Sequence, residues 1–193
     1  MEQTLIILKP DALQRGLVGD ILSRFEKTGM KIIGLKMVIP SQETANKHYP
    51  KSRREFIEGM GNKSLSNYRD MGIDPLKYHK STKAYDIGLD VHRWLVEALT
   101  SGPVIVAVLE GPHVIELVRK ICGATLPIKA NPGTIRGDYS FDSSALANQS
   151  SRPIRNLIHA SGDKKEAGFE INLWFSKDEL YDYNTVHQQH MIS

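Results

Sequence analysis

The sequence predicts a single α/β domain in which short buried strands alternate with amphipathic helices. Three observations predict it. Two uninterrupted aliphatic runs, Leu5–Leu8 and Val104–Leu109, read as strands covered on both faces. Three stripes at helical spacing follow: Val18/Ile21/Leu22/Phe25, Val91/Trp94/Leu95/Ala98/Leu99 and Val114/Leu117/Val118/Ile121. The length of 193 residues gives one sizeable core and is short for two.

Taken in order, the run Leu5–Leu8 is a strand stopped by Pro10. The stripe from Val18 to Phe25 is a helix ended by Gly29, and Lys31–Ile39 alternates as a second strand closed by Pro40. Ser41 caps a helix that reaches His48-Tyr49-Pro50. Residues 60–88 are polar, broken by Gly61, Gly72, Pro75 and Gly88, and without strong period. They read as a surface insertion holding one short helix. The helix Val91–Leu99, the strand Val104–Leu109 and the helix Val114–Ile121 come next. Residues 123–155, rich in Gly, Pro, Ser and Asn, read as a long loop. Asn156–His159 is a short strand, and Ala167, Glu170, Ile171 and Trp174 mark a closing helix. The tail at 182–193 is polar and expected to fray. The order β-α-β-α-β-α-β fits a ferredoxin-like sandwich, an antiparallel four-stranded sheet covered by helices. A parallel doubly wound sheet has the same order, and periodicity does not separate the two.

Composition narrows the function classes. Apolar residues make up 40% and charged residues 24%, an ordinary globular balance. Lys plus Arg number 25 against 22 Asp plus Glu, too small a surplus to argue for nucleic-acid binding. The strands are aliphatic, without the stacking aromatics of a sheet that binds single-stranded RNA. One cysteine, Cys122, excludes an intrachain disulfide and reads as a small buried hydrophobe. There is no CxxC or HExxH spacing for zinc, no signal-like N-terminus and no apolar stretch near the ~20 residues that span a bilayer. The expectation is a soluble cytoplasmic protein.

No GxxxxGK[ST] or GxGxxG loop occurs, so a nucleotide site must do without those glycine cradles. Cationic and hydroxyl residues instead gather at element ends: Lys9, Tyr49, Arg119, Thr125 and Arg136. Such groups hold phosphate oxygens by charge-assisted hydrogen bonds. Singly, Lys9 and Arg119 read as solvated termini; the set carries the signal. In Pro132–Asp138 two glycines flank Arg136, a tight backbone that aims one cation at a fixed point. Of seven histidines, His159 alone has an orienting acid in prospect, Glu170 on the following helix. His48, His79, His92 and His113 have no such setting, and His187 and His190 lie in the tail.

The segments TLIILKPD (residues 4–11), QRGLVG (14–19), SGPV (101–104), PGTIRGD (132–138), NLIH (156–159) and LWF (173–175) resemble nucleoside diphosphate kinases. They occur in that family's order and cover nearly the whole chain. The resemblance implies the ferredoxin-like sandwich over residues 1–193, a homo-oligomer (hexamer favoured over tetramer), Mg²⁺-bound nucleotides and ping-pong phosphoryl transfer. It implies phosphorylation of His159 at Nδ1, with Glu170 orienting the ring and Ser161 assisting. Lys9, Tyr49, Arg119, Thr125, Arg136 and Asn156 are implied as ligands of phosphates and ribose, and Phe56 as the ring under the base. Mg²⁺ is implied to be held by nucleotide phosphates rather than by protein ligands. Two departures stand out: Ala160 follows His159 where many members have glycine, and the region 60–88 and the loop after Asp138 are long. The rival readings are an inactive nucleotide-binding scaffold and a nucleic-acid module on a ferredoxin-like sheet.

Overall fold

The computed structural model describes residues 1–191. The tail beyond them, part of the stretch expected to fray, lies outside the described residues. Four strands, β1 (Glu2–Leu8), β2 (Lys31–Val38), β3 (Val104–Gly111) and β4 (Ile158–Ala160), form one sheet in the order β2-β3-β1-β4. Every neighbouring pair is antiparallel, which excludes the doubly wound alternative. The fold is the expected ferredoxin-like sandwich.

The aliphatic runs are continuous because both faces of the sheet are covered. Ile6, Leu8, Ile105, Ala107 and Leu109 pack on one face with α2 (Val18–Glu26) and α6 (Val114–Cys122), through Ile21, Phe25, Val114 and Val118. Leu5, Ile7, Val104, Val106 and Val108 pack on the other with α3 (Gln42–His48), α5 (Ala84–Leu99) and α9 (Lys164–Trp174), through Ala45, Val96, Leu99, Ile171 and Trp174. Each large aliphatic buried there contributes ~1.5–3 kcal/mol. A short helix α1 (Pro10–Gln14) directly follows β1, with Pro10 at its start, where the missing N–H costs nothing.

Residues 60–88 are more regular than expected. Helix α4 runs for 17 residues, Arg54–Asp70, and α5 begins at Ala84 rather than near Val91. The two helices cross at glycines. A Cβ at Gly61 would meet the Ala84 carbonyl oxygen at 1.7 Å, and one at Gly88 would meet that of Ile57 at 2.0 Å. No other residue permits that approach. The buried face of α4 is Ile57, Gly61, Ser64 and Tyr68, a stripe whose glycine and serine hide its period. The loop 123–155 likewise contains α7 (Ile135–Tyr139) and α8 (Ser144–Gln149), capped by the hydroxyls of Thr134 and Ser143.

The chain after α9 packs back on β2. At the bulge between Ile32 and Gly34, the freed Ile33 carbonyl accepts the Tyr181 amide at 2.8 Å. Lys31, 3% exposed, sits between Glu110 at 2.8 Å and Asp182 at 2.9 Å, and Tyr183 donates its hydroxyl to the Ile32 carbonyl. The tail therefore starts as a fastened strap, and its described part continues into α10 (Val186–Met191).

Candidate active site

Strand β4 lies beside β1 at the sheet edge, with Ile7 opposite His159. Just before it, Leu157 takes φ +67°, a left-handed conformation that costs a branched residue ~1 kcal/mol or more. It is held there by three bonds. The Leu157 amide donates to the Asp11 carboxylate at 3.1 Å, its carbonyl accepts the Lys9 amide at 2.8 Å, and the Ile158 amide donates to the Asn156 carbonyl at 2.7 Å. The Asn156 side chain accepts from Lys9 Nζ at 2.7 Å and donates to the Thr125 carbonyl at 2.9 Å. Ala160, the departure from glycine, lies inside β4 and is not among the residues with positive φ, so its methyl group brings no strain.

His159 Nε2 faces the Glu170 carboxylate at 2.8 Å from one oxygen and 2.9 Å from the other. Ser161, fully buried, donates its hydroxyl to Glu170 at 2.6 Å. Burial drives the Glu170 carboxyl up from its ordinary value, opposed by His48 and by the Ser161 bond. It drives the His159 imidazole well below 6.5, helped by the Lys9 charge. A neutral ring that donates Nε2–H to a carboxylate keeps its free lone pair on Nδ1. Nδ1 has no hydrogen-bond partner among the described residues.

Sequence reasoning dismissed His48, and the structure corrects this. Its Nδ1 is 3.4 Å from Glu170 and 3.4 Å from Trp174 Nε1, which donates to it. Its ring meets that of His159 edge-on at 4.5 Å. Burial first, then the neighbouring His159, pushes its pKa down to about 3, so it is a neutral ring packed beside Glu170, and with Nδ1 accepting from Trp174 it donates no hydrogen bond to that carboxylate. Its place at the end of a capped helix, next to Tyr49, was the available signal. His79 also has an acid, Asp90, at 2.8 Å.

His159 opens on a cavity of about 1530 Å³. Lys9, Tyr49, Phe56, Arg119, Thr125, Arg136 and Asn156 all line it, whereas Glu170 and Ser161 stand behind the imidazole. Lysines and arginines outnumber carboxylates on its wall ten to three. Arg136 is preorganised: its guanidinium donates to the carbonyls of Gly123, Asn156 and Ile158 at 2.7, 3.2 and 2.6 Å. The remaining N–H groups of its five are left for a ligand. Burial and the nearby Arg136 charge pull the Lys9 pKa down to about 8, Asp11 opposing. Burial raises the Tyr49 hydroxyl, so it acts as a neutral donor. Arg119 is exposed on α6 and makes no ion pair among the described residues. Cys122 lies under the wall, 1% exposed, its thiol pushed up to about 11, an inert hydrophobe as the sequence suggested.

His48, His159 and Glu170 are the group among the described residues that could hold a metal ion. Two nitrogens and one carboxylate suit a softer ion than Mg²⁺, which takes oxygen ligands. Of the cavity's three carboxylates, Asp163 caps α9 and Glu166 lies in its first turn, while Asp70 ends α4; among the described residues they form no group that could close on an ion.

An antiparallel α/β sandwich that turns a neutral imidazole toward a cationic cavity defines an enzyme of the phosphotransferase class. Comparison with known proteins makes this specific. The family model for nucleoside diphosphate kinase matches residues 2–66 and 78–180. A nucleoside diphosphate kinase of Pyrobaculum aerophilum is 48% identical over 182 residues, 94% of this chain and 99% of the relative. One from Pyrococcus abyssi is 42% identical over 94% of this chain and 89% of the relative. The crystal structure of an NDP kinase from Pyrobaculum aerophilum superposes with a TM-score of 0.91 at 46% identity, covering 94% and 99% of the two chains. The Borrelia burgdorferi enzyme, solved as a transition-state mimic with vanadate and ADP, gives 0.79 at 35% identity over 98% and 95%. The chain belongs to the nucleoside diphosphate kinase family.

Proposed function

We propose that this nucleoside diphosphate kinase carries the phosphoryl group on Nδ1 of His159, in two mirrored half-reactions. The observation that carries the reading is the division of labour in one ring. Nε2 is committed to Glu170, and the opposite nitrogen is spare beside Lys9, Arg119 and Arg136 on the cavity wall. In the first half-reaction the Nδ1 lone pair attacks the terminal phosphorus of a nucleoside triphosphate. The bond from that phosphorus to its bridging oxygen breaks, and the nucleoside diphosphate leaves with the electron pair. In the second, the terminal oxygen of another diphosphate attacks the phosphohistidine and the N–P bond breaks, restoring the ring.

Phosphoryl transfer leaves a protein little to do beyond positioning and charge stabilisation. Lys9, Arg119 and Arg136 would neutralise charge on the transferring group. Thr125, Asn156 and Tyr49 would hold phosphate and ribose, and Phe56 would stack under the base. Glu170 would stabilise positive charge on the ring as the N–P bond forms, and Ser161 would hold Glu170. Mg²⁺ would enter with the substrate, held mainly by phosphate oxygens, because the wall carries so few carboxylates.

Labelled ATP tests this. The protein should take up an acid-labile, alkali-stable phosphoryl group that a nucleoside diphosphate discharges, and H159A should take up none. Label retained by H159A would reject the assignment.

A homo-oligomer, hexamer rather than tetramer, is proposed on the family resemblance. The edge strand β2 supports self-association, since Leu35 and Met37 are 51% and 61% exposed and Ile39 beyond it 73%. The native mass decides it. No helix among the described residues is long and apolar enough to cross a membrane. Cytoplasmic residence, supported by the single cysteine, is checked by fractionation.

A further inference from the structure

Helix α4 has two faces, and only one belongs to the core. Ile57, Gly61, Ser64 and Tyr68 are buried, while Phe56, Met60, Lys63 and Asn67 line the cavity. From Phe56 to Asn67 the helix rises ~16 Å, so the cavity continues well past the ring assigned to the base. Its volume of about 1530 Å³ exceeds the ~300–1,000 Å³ of usual small-molecule sites.

Across this extension stands α8, whose Ser144, Ala147 and Asn148 also line the cavity. Asn67 Nδ2 donates to Ser144 Oγ at 2.7 Å and ties the two helices together. Asn148 is 6% exposed, yet its Nδ2 has no hydrogen-bond partner among the described residues. A buried amide donor left unpaired is costly, so a partner arriving with a ligand would relieve it. Its terminal torsion is broad and roughly two-fold, so the carboxamide can turn either its donor or its acceptor to the cavity.

We infer that Asn148 is a specificity-determining residue that hydrogen-bonds the outer edge of a purine base. The inference rests on the kinase reading above. A base lying against Phe56 points an edge outward, away from the phosphates. A carboxamide matches the adjacent donor and acceptor of such an edge, the pairing by which asparagine reads adenine. The larger purine reaches farther from Phe56 than a pyrimidine does.

The test is discharge of the labelled phosphoenzyme by ADP, GDP, CDP and UDP, in wild type and N148A. Wild type should discharge to the purine nucleotides with the higher kcat/KM. N148A should lower that value about tenfold for ADP and GDP, and less than about twofold for CDP and UDP, the size of one lost hydrogen bond. Equal stoichiometry of phosphoenzyme in the two proteins shows that the variant is folded. Should N148A fail to fold, N148D keeps the shape without the donor, and the purine-to-pyrimidine ratio is read there. An unchanged ratio, or equal losses for all four acceptors, overturns the inference and leaves the amide bonded to water. A wild-type protein that forms no phosphoenzyme would instead sink the kinase reading.

Discussion

Among the described residues two histidines are hydrogen-bonded to carboxylates through one nitrogen, and they differ in what the second nitrogen does. His79 bonds Asp90 at 2.8 Å through Nδ1 and the Tyr68 hydroxyl at 2.9 Å through Nε2. It is 4% exposed, and Trp94 packs beside it, ring centres 5.5 Å apart. His159 bonds Glu170 through Nε2 and leaves Nδ1 toward a cavity, its side chain 18% exposed. The first ring is satisfied on both sides and braces the α4–α5 region. The second is satisfied on one side only, and that leaves a nucleophile. A carboxylate partner therefore does not mark a reactive histidine; a spare nitrogen facing an open cationic wall does.

The largest test of that contrast is H159A, expected to abolish transfer while nucleotide binding persists. A coupled assay retaining even about a tenth of wild-type turnover would contradict a role for this nitrogen. Removing wall charge comes next. R119A should lower kcat by ~10²–10³, the scale of a lost transition-state donor, with the melting temperature nearly unchanged because Arg119 is exposed. E170Q keeps a hydrogen bond to the ring but loses the charge, and should lower kcat less than R119A does. H79A should remove ~1–3 kcal/mol of stability, read by chemical denaturation, and leave kcat within about twofold of wild type. If H79A stops turnover in a folded protein, the two networks are not separate.

The pH profile sharpens the same point. Because His159 lies well below its ordinary 6.5, it stays neutral on mild acidification, and kcat/KM should not fall through the usual histidine range. Lys9, pulled to about 8, loses its charge as pH rises through that value, so kcat/KM should fall on the alkaline side. Bound phosphates raise the Lys9 pKa again, which moves the corresponding limb of kcat to higher pH. Initial rates across pH at saturating and limiting nucleotide check both limbs.

Most of the sandwich was legible because β1 and β3 are aliphatic on both faces, and because α2 and α6 carry unbroken stripes. Helix α4 was not legible. Its contact with α5 is made by Gly61 and Gly88, residues chosen for the absence of a side chain, and apolar periodicity registers only side chains. The candidate residues from Lys9 to His159 came from family order more than from spacing, and all of them line the same cavity. His48 escaped because its partners, Glu170 and Trp174, lie more than a hundred residues away. Asn148 escaped because nothing local distinguishes it from the other asparagines of a polar loop.

Two of the three bonds that hold Leu157 in its left-handed turn come from Lys9 and Asp11, at the far end of the sequence. Joining segments so distant carries a loop-closure cost that local contacts do not repay. The reactive edge of the sheet is therefore expected to assemble late. In a refolding experiment followed by labelled ATP, competence to accept phosphate should lag behind the recovery of helical signal.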